Sequence, residues 1–214
     1  MSRLLVPTGA LVALCVGLLT VQSGPASADV PTADAPAAGA QIAIKTINGS
    51  GCPAGTADAT VSPDNSTLTV KYSAYTAQAG GGAASPDARK NCQLVLDVKA
   101  PASYTYALFG LDHRGHASLR AGATATVESD YYFQGTTDDV FQSHSLTGPY
   151  QDDWAFSDSV PEDRLVWAPC GSQRYLNVNT SLQVSAGADD RASVVTMGST
   201  DVPGASYRLI WKRC

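Results

Sequence analysis

The sequence predicts an all-β protein, an antiparallel, jelly-roll-like β-sandwich held by two disulfide bonds. Short runs of alternating apolar and polar residues, separated by turn residues, recur along most of the chain. Beyond the N-terminal segment, no stretch has apolar residues at the helical spacing i, i+3, i+4 over three turns. Glycine and proline number 19 and 12, which indicates frequent turns. Roughly ten short strands in one domain are typical of a two-sheet sandwich.

The charge balance argues against two classes of partner. Fourteen Lys and Arg against nineteen Asp and Glu give a net charge of −5. A sequence-independent nucleic-acid binder needs an excess of cations to displace counterions from the phosphates. Attraction to an anionic membrane surface needs the same excess. We therefore expect no nucleic-acid partner, and no membrane association after removal of the N-terminal segment.

The N-terminus is typical of a secretory signal peptide. Arg3 precedes an apolar run, Leu11–Val21, that is shorter than the roughly 20 residues of a membrane-spanning helix. Ala26-Ser27-Ala28 then supplies the small residues that signal peptidase requires, which predicts cleavage after Ala28. We therefore expect a secreted, extracellular protein with three segments: a signal peptide at 1–28, a flexible Ala/Pro-rich leader at 29–40 and a single β-sandwich domain at 41–214.

Secretion predicts that the four cysteines that remain after removal of the signal peptide, which contains Cys15, form disulfide bonds. Cys52, Cys92, Cys170 and Cys214 are an even number in an oxidising compartment. Three pairings are possible, and we prefer the pairing of neighbours, Cys52 with Cys92 and Cys170 with Cys214, which closes loops of roughly 40 residues. A zinc site would favour closer pairs such as C-x-x-C, so the cysteines predict no metal.

The clearest predicted strand is Tyr175–Val184, because its residues alternate over its length. Its apolar side chains face one way, and a polar ladder of Asn177, Asn179, Ser181 and Gln183 faces the other. This ladder is a second candidate contact face. The other predicted strands are Ile42–Ile47, a strand from Leu68 to Tyr72, Cys92–Val98, Ser103–Leu111, Ala117–Leu119, Thr124–Phe133, Asp153–Ser157, Arg164–Trp167 and a strand around Leu209 and Trp211. Gln78–Lys90 is predicted to be an exposed loop.

The three histidines could hold a metal only if a turn brought them together. Asp112-His113-Arg114-Gly115-His116 predicts a β-turn with Gly115 at positive φ and its polar side chains in solvent. On a regular strand, His113 and His116 would point to opposite faces. His144 lies in a second polar stretch, 141–145, which we predict to face solvent. We expect no metal site.

Adjacent acidic residues are candidates for acid–base chemistry or calcium binding. They occur at Asp138-Asp139, Asp152-Asp153 and Asp189-Asp190. The D-x-D-x-D-G spacing of a calcium loop and the G-x-S-x-G motif of serine hydrolases are both missing from the sequence. We interpret the pairs as soluble turn residues, assign no catalytic residue and expect no cofactor, although calcium at one of the pairs stays open.

Aromatic residues suggest a binding surface, since exposed aromatic rings stack on sugars. In a strand, Tyr132 faces away from its neighbours Tyr131 and Phe133, so one of the two sets must point away from the core. We single out Arg114, Tyr131 and Tyr132 as candidate contact residues.

Several short motifs, in this order, resemble domain-of-unknown-function family 4360, small secreted proteins of actinobacteria and fungi. The motifs are Gly49-Ser50-Gly51-Cys52-Pro53, Ser62-Pro63-Asp64, Arg89-Lys90-Asn91-Cys92-Gln93-Leu94, Arg114-Gly115, Tyr131-Tyr132-Phe133, Gly148-Pro149, Trp167-Ala168-Pro169-Cys170-Gly171, Leu176-Asn177-Val178-Asn179-Thr180 and Trp211-Lys212-Arg213-Cys214. The resemblance implies secretion, four cysteines and a single β-rich domain, and it assigns no activity or residue role. The family usually has aromatic residues where this chain has His113 and His116, which argues further against a metal.

These observations predict a secreted, non-catalytic module that binds polysaccharide or cell-wall material. One alternative is a secreted hydrolase that uses a pair from Asp112, Asp138, Asp152 and Asp153. Another is a protein-binding module such as a protease inhibitor, in which the disulfides would hold the Gln78–Lys90 loop rigid.

Overall fold

The computed structural model describes residues 41–188, 191–199 and 201–214. Strands dominate these residues, and two short 3₁₀ helices occur at Ser85–Ala88 and Glu162–Arg164. The predicted signal peptide, the leader and the pair Asp189-Asp190 lie outside the described residues. The strands are β1 Gln41–Asn48, β2 Ala57–Val61, β3 Thr67–Tyr72, β4 Thr76–Ala79, β5 Arg89–Lys99, β6 Tyr104–Leu119, β7 Thr124–Phe133, β8 Asp139–Thr147, β9 Tyr150–Ser159, β10 Tyr175–Ser185, β11 Ser193–Met197 and β12 Ala205–Arg213.

The strands form two antiparallel sheets that pack together, which confirms the predicted all-β sandwich. The five-stranded sheet has the order β1-β5-β10-β7-β8. The seven-stranded sheet has the order β2-β3-β12-β6-β11-β4, and β9 pairs with β6 outside this path. The long strand β6 pairs along much of its length with β12 and, further on, with β11, while β9 occupies its other edge.

The core lies between the sheets and is built from every second residue of the strands. From β10 it takes Leu176, Val178, Leu182 and Val184, the apolar set that alternation predicts. The opposing sheet contributes large side chains such as Leu108, Tyr207 and Trp211. Because successive strand residues point to opposite faces, the polar ladder of β10 lies on the outside of the five-stranded sheet.

Both disulfides pair neighbouring cysteines, as the sequence analysis prefers. The Cα atoms of Cys52 and Cys92 are 5.4 Å apart, and those of Cys170 and Cys214 are 5.9 Å apart. The first bond ties β5 to the segment between β1 and β2, and the second ties Cys214, directly after β12, to the segment before β10.

The prediction of a turn at Asp112–His116 is wrong. The segment continues β6, and Gly115 lies between Trp154 of β9 and Met197 of β11 without a positive φ. A Cβ at Gly115 would collide with the carbonyl oxygen of Thr196, so glycine serves here for close strand approach rather than for a turn. The two predicted strands around this segment are therefore one strand.

Arg164–Trp167 is not a strand. Arg164 ends a 3₁₀ turn in which its N–H donates to the carbonyl of Pro161, and residues 165–167 pair with none of the described strands. Four strands have no counterpart in the prediction: β2, β4, β8 and β11. Gln78–Lys90, predicted as a loop, begins in β4, contains the first 3₁₀ helix and ends in β5.

No helix in the described residues is long and apolar enough to span a membrane.

Candidate functional site

The outer side of the five-stranded sheet carries an open groove of about 710 Å³. Seven charged, polar and aromatic residues from four adjacent strands line most of the groove, alongside Ser50, Pro86 and Thr180, and we call these seven the polar face. The polar face consists of Arg89 and Asn91 from β5, Asn179 and Ser181 from β10, Glu128 and Asp130 from β7, and Phe141 from β8.

Strand alternation explains why these residues share one side. On β7, Val127, Tyr131 and Phe133 are buried against the other sheet, so Glu128 and Asp130 point outward. Because the two carboxylates are two residues apart on one strand, their backbone positions are separated by roughly 7 Å. Both therefore face the same groove.

The register brings each carboxylate next to a neutral hydrogen-bond donor of β10. Asp130 lies opposite Asn179, whose Nδ2 donates to Asp130 Oδ2 at 3.1 Å. Glu128 lies opposite Ser181, whose Oγ donates to Glu128 Oε2 at 2.9 Å. The guanidinium of Arg89 is 4.0 Å from the same Glu128 oxygen. The face therefore holds two carboxylates and one cation at close range.

Burial and neighbouring charge change the acidity of Asp130. Partial burial of the carboxyl group raises its pKa, and the charges of Asp139 and Glu128 raise it further, while the hydrogen bond from Asn179 opposes this effect. Asp130 therefore takes up a proton at a higher pH than an ordinary aspartate.

Phe141 provides an exposed aromatic ring beside these polar groups. It is 56% exposed and lies directly opposite Asp130 in the β7–β8 register. Tyr132 lies on the same side of β7, opposite Asn177 and Asp139, and is half-buried. An exposed ring flanked by carboxylate, amide and hydroxyl groups can contact both the apolar face and the hydroxyl groups of a sugar.

The three predicted contact residues do not come together. Tyr131 is completely buried, and its hydroxyl donates to the carbonyl of Leu108 at 2.6 Å, so the prediction of Tyr131 as a contact residue is corrected. Arg114 is exposed on the seven-stranded sheet, in a separate groove of about 490 Å³ that also contains His116 and Val202. Of the three, Tyr132 lies next to the polar face.

The polar ladder predicted on β10 supplies two residues of the polar face, Asn179 and Ser181. Glu128, Asp130 and Phe141 were not among the predicted site residues, because the acidic candidates came mainly from adjacent pairs and the aromatic candidates from the Tyr131-Tyr132-Phe133 motif. The signal was present in the predicted strand Thr124–Phe133, where an E-x-D spacing puts both carboxylates on one side.

The three histidines have separate environments. His113 is buried against Tyr207, and burial lowers its pKa to about 4. His116 points outward, and its Nδ1 lies 2.9 Å from Asp153 Oδ1. His144 is turned partly inward, against the prediction of a solvent-facing stretch, with its Nε2 2.8 Å from Asp158 Oδ2 and its ring stacked on Phe156 at 4.3 Å. Among the described residues, no group of three or more His, Cys, Asp or Glu side chains is arranged to hold a metal ion.

The carboxylates of the hydrolase alternative are also dispersed. Asp112 pairs with Arg208 at 3.5 Å, and Asp153 pairs with His116. Asp138 is exposed in the segment before β8, and Asp152 is exposed on β9. The two carboxylates that share a groove are instead Glu128 and Asp130.

Comparison with solved structures gives no basis for a functional argument. A chain in the cryo-EM structure of Broad Bean Stain Virus matches with a TM-score of 0.25 and 11% identity, covering 65% of this chain and 78% of that one. The enzymatically active domain of the bacteriophage CBA120 tailspike protein 4 matches with a TM-score of 0.21 and 11% identity, covering 82% and 19%. Both scores are too low to carry an inference.

Sequence comparison is more informative. An uncharacterized secreted protein of Arthroderma benhamiae (strain ATCC MYA-4681 / CBS 112371) is 33% identical over 173 residues, which cover 79% of this chain and 69% of that protein. This relative confirms the predicted secreted location. The model of the domain of unknown function DUF4360 matches residues 38–214. The chain therefore belongs to the DUF4360 family of secreted proteins.

Proposed function

We propose that this protein binds polysaccharide through the polar face without cleaving it. The observation that carries the proposal is the exposed ring of Phe141 beside Asp130 and Glu128 in one open groove. Sugar rings offer apolar C–H faces for stacking and hydroxyl groups that donate to carboxylates, so this combination of side chains is complementary to them.

Two features favour binding over catalysis. Each carboxylate already accepts a hydrogen bond from a neutral β10 side chain, Asn179 or Ser181, which holds it in a defined orientation for a ligand. The groove is also open on the surface of a sheet, whereas catalysis by acid–base groups profits from a site that excludes water.

The experiment is depletion of the purified protein from solution by insoluble chitin, cellulose and bacterial or fungal cell-wall preparations. Phe141→Ala removes the exposed ring, and Val202→Ala is the control, because Val202 is 48% exposed but lines the groove of the other sheet. We expect at least one polysaccharide to deplete the protein and Phe141→Ala to weaken this binding roughly tenfold, as loss of a central aromatic contact typically does. Val202→Ala should bind like the original protein.

Equal binding by the two variants, or no depletion by any of the polysaccharides, would contradict the proposal. Reducing ends, which cleavage of the polysaccharide would release, are measured in the same tubes.

One observation favours a hydrolase as the second candidate. Burial raises the pKa of Asp130, which shares one groove with the carboxyl group of Glu128, and a glycosidase uses two carboxyl groups, one of them with a raised pKa as the general acid. Release of reducing ends that disappears in Asp130→Asn would favour this candidate over the binding module.

A further inference from the structure

A second cavity, of about 330 Å³, lies at the end of the sandwich near the Cys170–Cys214 disulfide. Its wall combines the end of β5, the start of β6 and the segment at 168–174. The volume is at the lower end of the range for small-molecule pockets, roughly 300–1,000 Å³. It shares no residue with the polar face.

The wall of this cavity is held in position without a ligand. The hydroxyl of Thr105 donates to the carbonyl of Ala168 at 2.6 Å, and the N–H of Ala168 donates to the carbonyl of Tyr106 at 2.9 Å. On the other side, Gln173 Nε2 donates to Asp97 Oδ1 at 2.5 Å. A preformed wall of this kind lowers the entropy cost of binding.

The apolar part of the wall consists of small, rigid side chains. Val98 from β5 contributes together with alanines and prolines of the two connecting segments, which are Ala100, Pro101, Ala102, Ala168 and Pro169. These residues leave space for the hydrocarbon body of a ligand and offer it no hydrogen-bond partner through their side chains.

The polar part of the wall contains one buried donor without a partner. Tyr106 is 2% exposed, and its buried hydroxyl has no hydrogen-bond partner among the described residues. A buried polar group without a partner is uncommon in folded proteins and needs an explanation. A ligand atom that accepts a hydrogen bond would provide one.

Two cations complete the cavity. Lys99 and Arg174 are exposed members of its wall, and neither forms an ion pair in the part of the chain that the structure describes. The nearby carboxylate of Asp97 is already engaged by Gln173 and by Lys45, whose Nζ is 3.3 Å away. Arg174, the exposed Lys99, whose charge also helps to lower the pKa of Asp97, and the orphaned hydroxyl favour a ligand with an anionic head.

We propose that this cavity binds a small carboxylate with an apolar body, held by Arg174, Lys99 and the hydroxyl of Tyr106. The apolar body lies against Val98 and the alanine and proline side chains. This site is independent of the polysaccharide-binding face and stands whether or not that face binds a glycan.

The test is a titration of the purified protein with benzoate and with hexanoate. Binding is measured by calorimetry and by NMR chemical shifts. Benzyl alcohol and hexanol are neutral ligands of similar shape. We expect saturable binding of at least one carboxylate, shift changes concentrated at 98–106 and 168–174, and binding of the matching alcohol that is roughly tenfold weaker because it lacks the charge.

Three variants separate the proposed contacts from general effects. Arg174→Gln should weaken carboxylate binding roughly tenfold, whereas Arg164→Gln, an exposed arginine outside the cavity, should leave it unchanged. Tyr106→Phe removes an unpartnered hydroxyl, so it should weaken binding about threefold or more without lowering the melting temperature.

Three results would each overturn the proposal. They are no saturable binding of either carboxylate, equal loss of affinity in Arg174→Gln and Arg164→Gln, and shift changes confined to residues outside the cavity. Polysaccharide depletion measured on Tyr106→Phe should match that of the original protein, which keeps the outcome separate from that of the polar face.

Discussion

Two pairs of carboxylates, one on the outer side of each sheet, have different partners. On the seven-stranded sheet, Asp112 lies 3.5 Å from the guanidinium of Arg208, and Asp153 lies 2.9 Å from the ring of His116. On the five-stranded sheet, Asp130 and Glu128 accept hydrogen bonds from neutral side chains of β10, and Glu128 also lies 4.0 Å from the guanidinium of Arg89.

This difference shows which carboxylates of the protein are available to interact with a ligand. An ion pair satisfies a carboxylate with an opposite charge, and a ligand must compete with that partner. A neutral donor orients a carboxylate and leaves its negative charge in place, so Asp130 of the polar face can still accept hydrogen bonds from a ligand.

The largest expected effect concerns the inner side of the seven-stranded sheet. Burial lowers the pKa of His113 from 6.5 to about 4, although the nearby charge of Asp158 opposes this shift. The stability that its neutral form provides is complete above pH 6.5 and is lost as the pH falls through about 4, and it amounts to about 3 kcal/mol.

Urea unfolding of the protein between pH 7 and pH 3.5 measures this loss. His113→Phe should flatten the pH dependence, whereas His116→Gln, which changes an exposed histidine on the same strand, should keep it. An equally steep decline in His113→Phe would show that other groups cause the acid sensitivity.

The second prediction tests the two outer faces directly by polysaccharide binding. Glu128→Gln combined with Asp130→Asn removes both negative charges of the polar face and should weaken binding tenfold or more, because hydrogen bonds to charged groups are the stronger ones. Asp112→Asn combined with Asp153→Asn removes two charges from the other sheet and should leave binding within about twofold. Similar losses in both double variants would point to a net-charge effect and would remove the distinction between the faces.

The smallest expected effect is on stability at pH 7, where two substitutions should change the free energy of unfolding in opposite directions. Asp130→Asn removes an ionised group that is partly buried near Glu128 and Asp139, so the free energy of unfolding should rise by a few tenths of a kcal/mol. Asp112→Asn breaks an ion pair with Arg208 and should lower it by about 0.2–1 kcal/mol.

The gain in Asp130→Asn should depend on pH. Since the folded state raises the pKa of Asp130, the stability that its protonated form provides is complete below the ordinary value of 3.8 and is lost as the pH rises through the raised pKa. The variant should therefore exceed the original protein at pH 7 and match it near pH 3. A variant that is less stable at pH 7 would show that Asp130 is stabilising as an ion.

The sequence predicts individual strands well where alternation is strong and nothing interrupts it. Strand β10 begins at the predicted residue, ends one residue beyond the predicted Val184 and buries the side that its pattern indicates. The prediction fails at 112–116, where polar residues and a glycine resemble a turn but continue β6, because β9 and β11 pair with this segment from both sides. Short strands such as β4 are not predicted, since four residues are too few to show a clear alternation of apolar and polar side chains.

The candidate site was predicted only in part, because it assembles residues from distant parts of the chain. Asn179 and Ser181 were identified as a contact face from β10 alone. Their partners Asp130 and Glu128 come from a strand about 50 residues earlier, and only the β7–β10 register brings them together. Likewise, His144 meets Asp158 across the gap between β8 and β9, a contact that no local pattern encodes.

By itself, the sequence determined the all-β class, the secreted character and the alternation of the strands, because these depend on composition and on a local period of two. The tertiary structure decided which of two alternating sides each strand buries. Tyr131 and Tyr132 are neighbours with the same side chain, yet Tyr131 is buried in the core and Tyr132 lies outside. The choice depends on which side of β7 meets the other sheet, and that contact involves strands far away in the sequence. For the same reason, the carboxylates of the polar face and the unpartnered hydroxyl of Tyr106 could be recognised only from the tertiary structure.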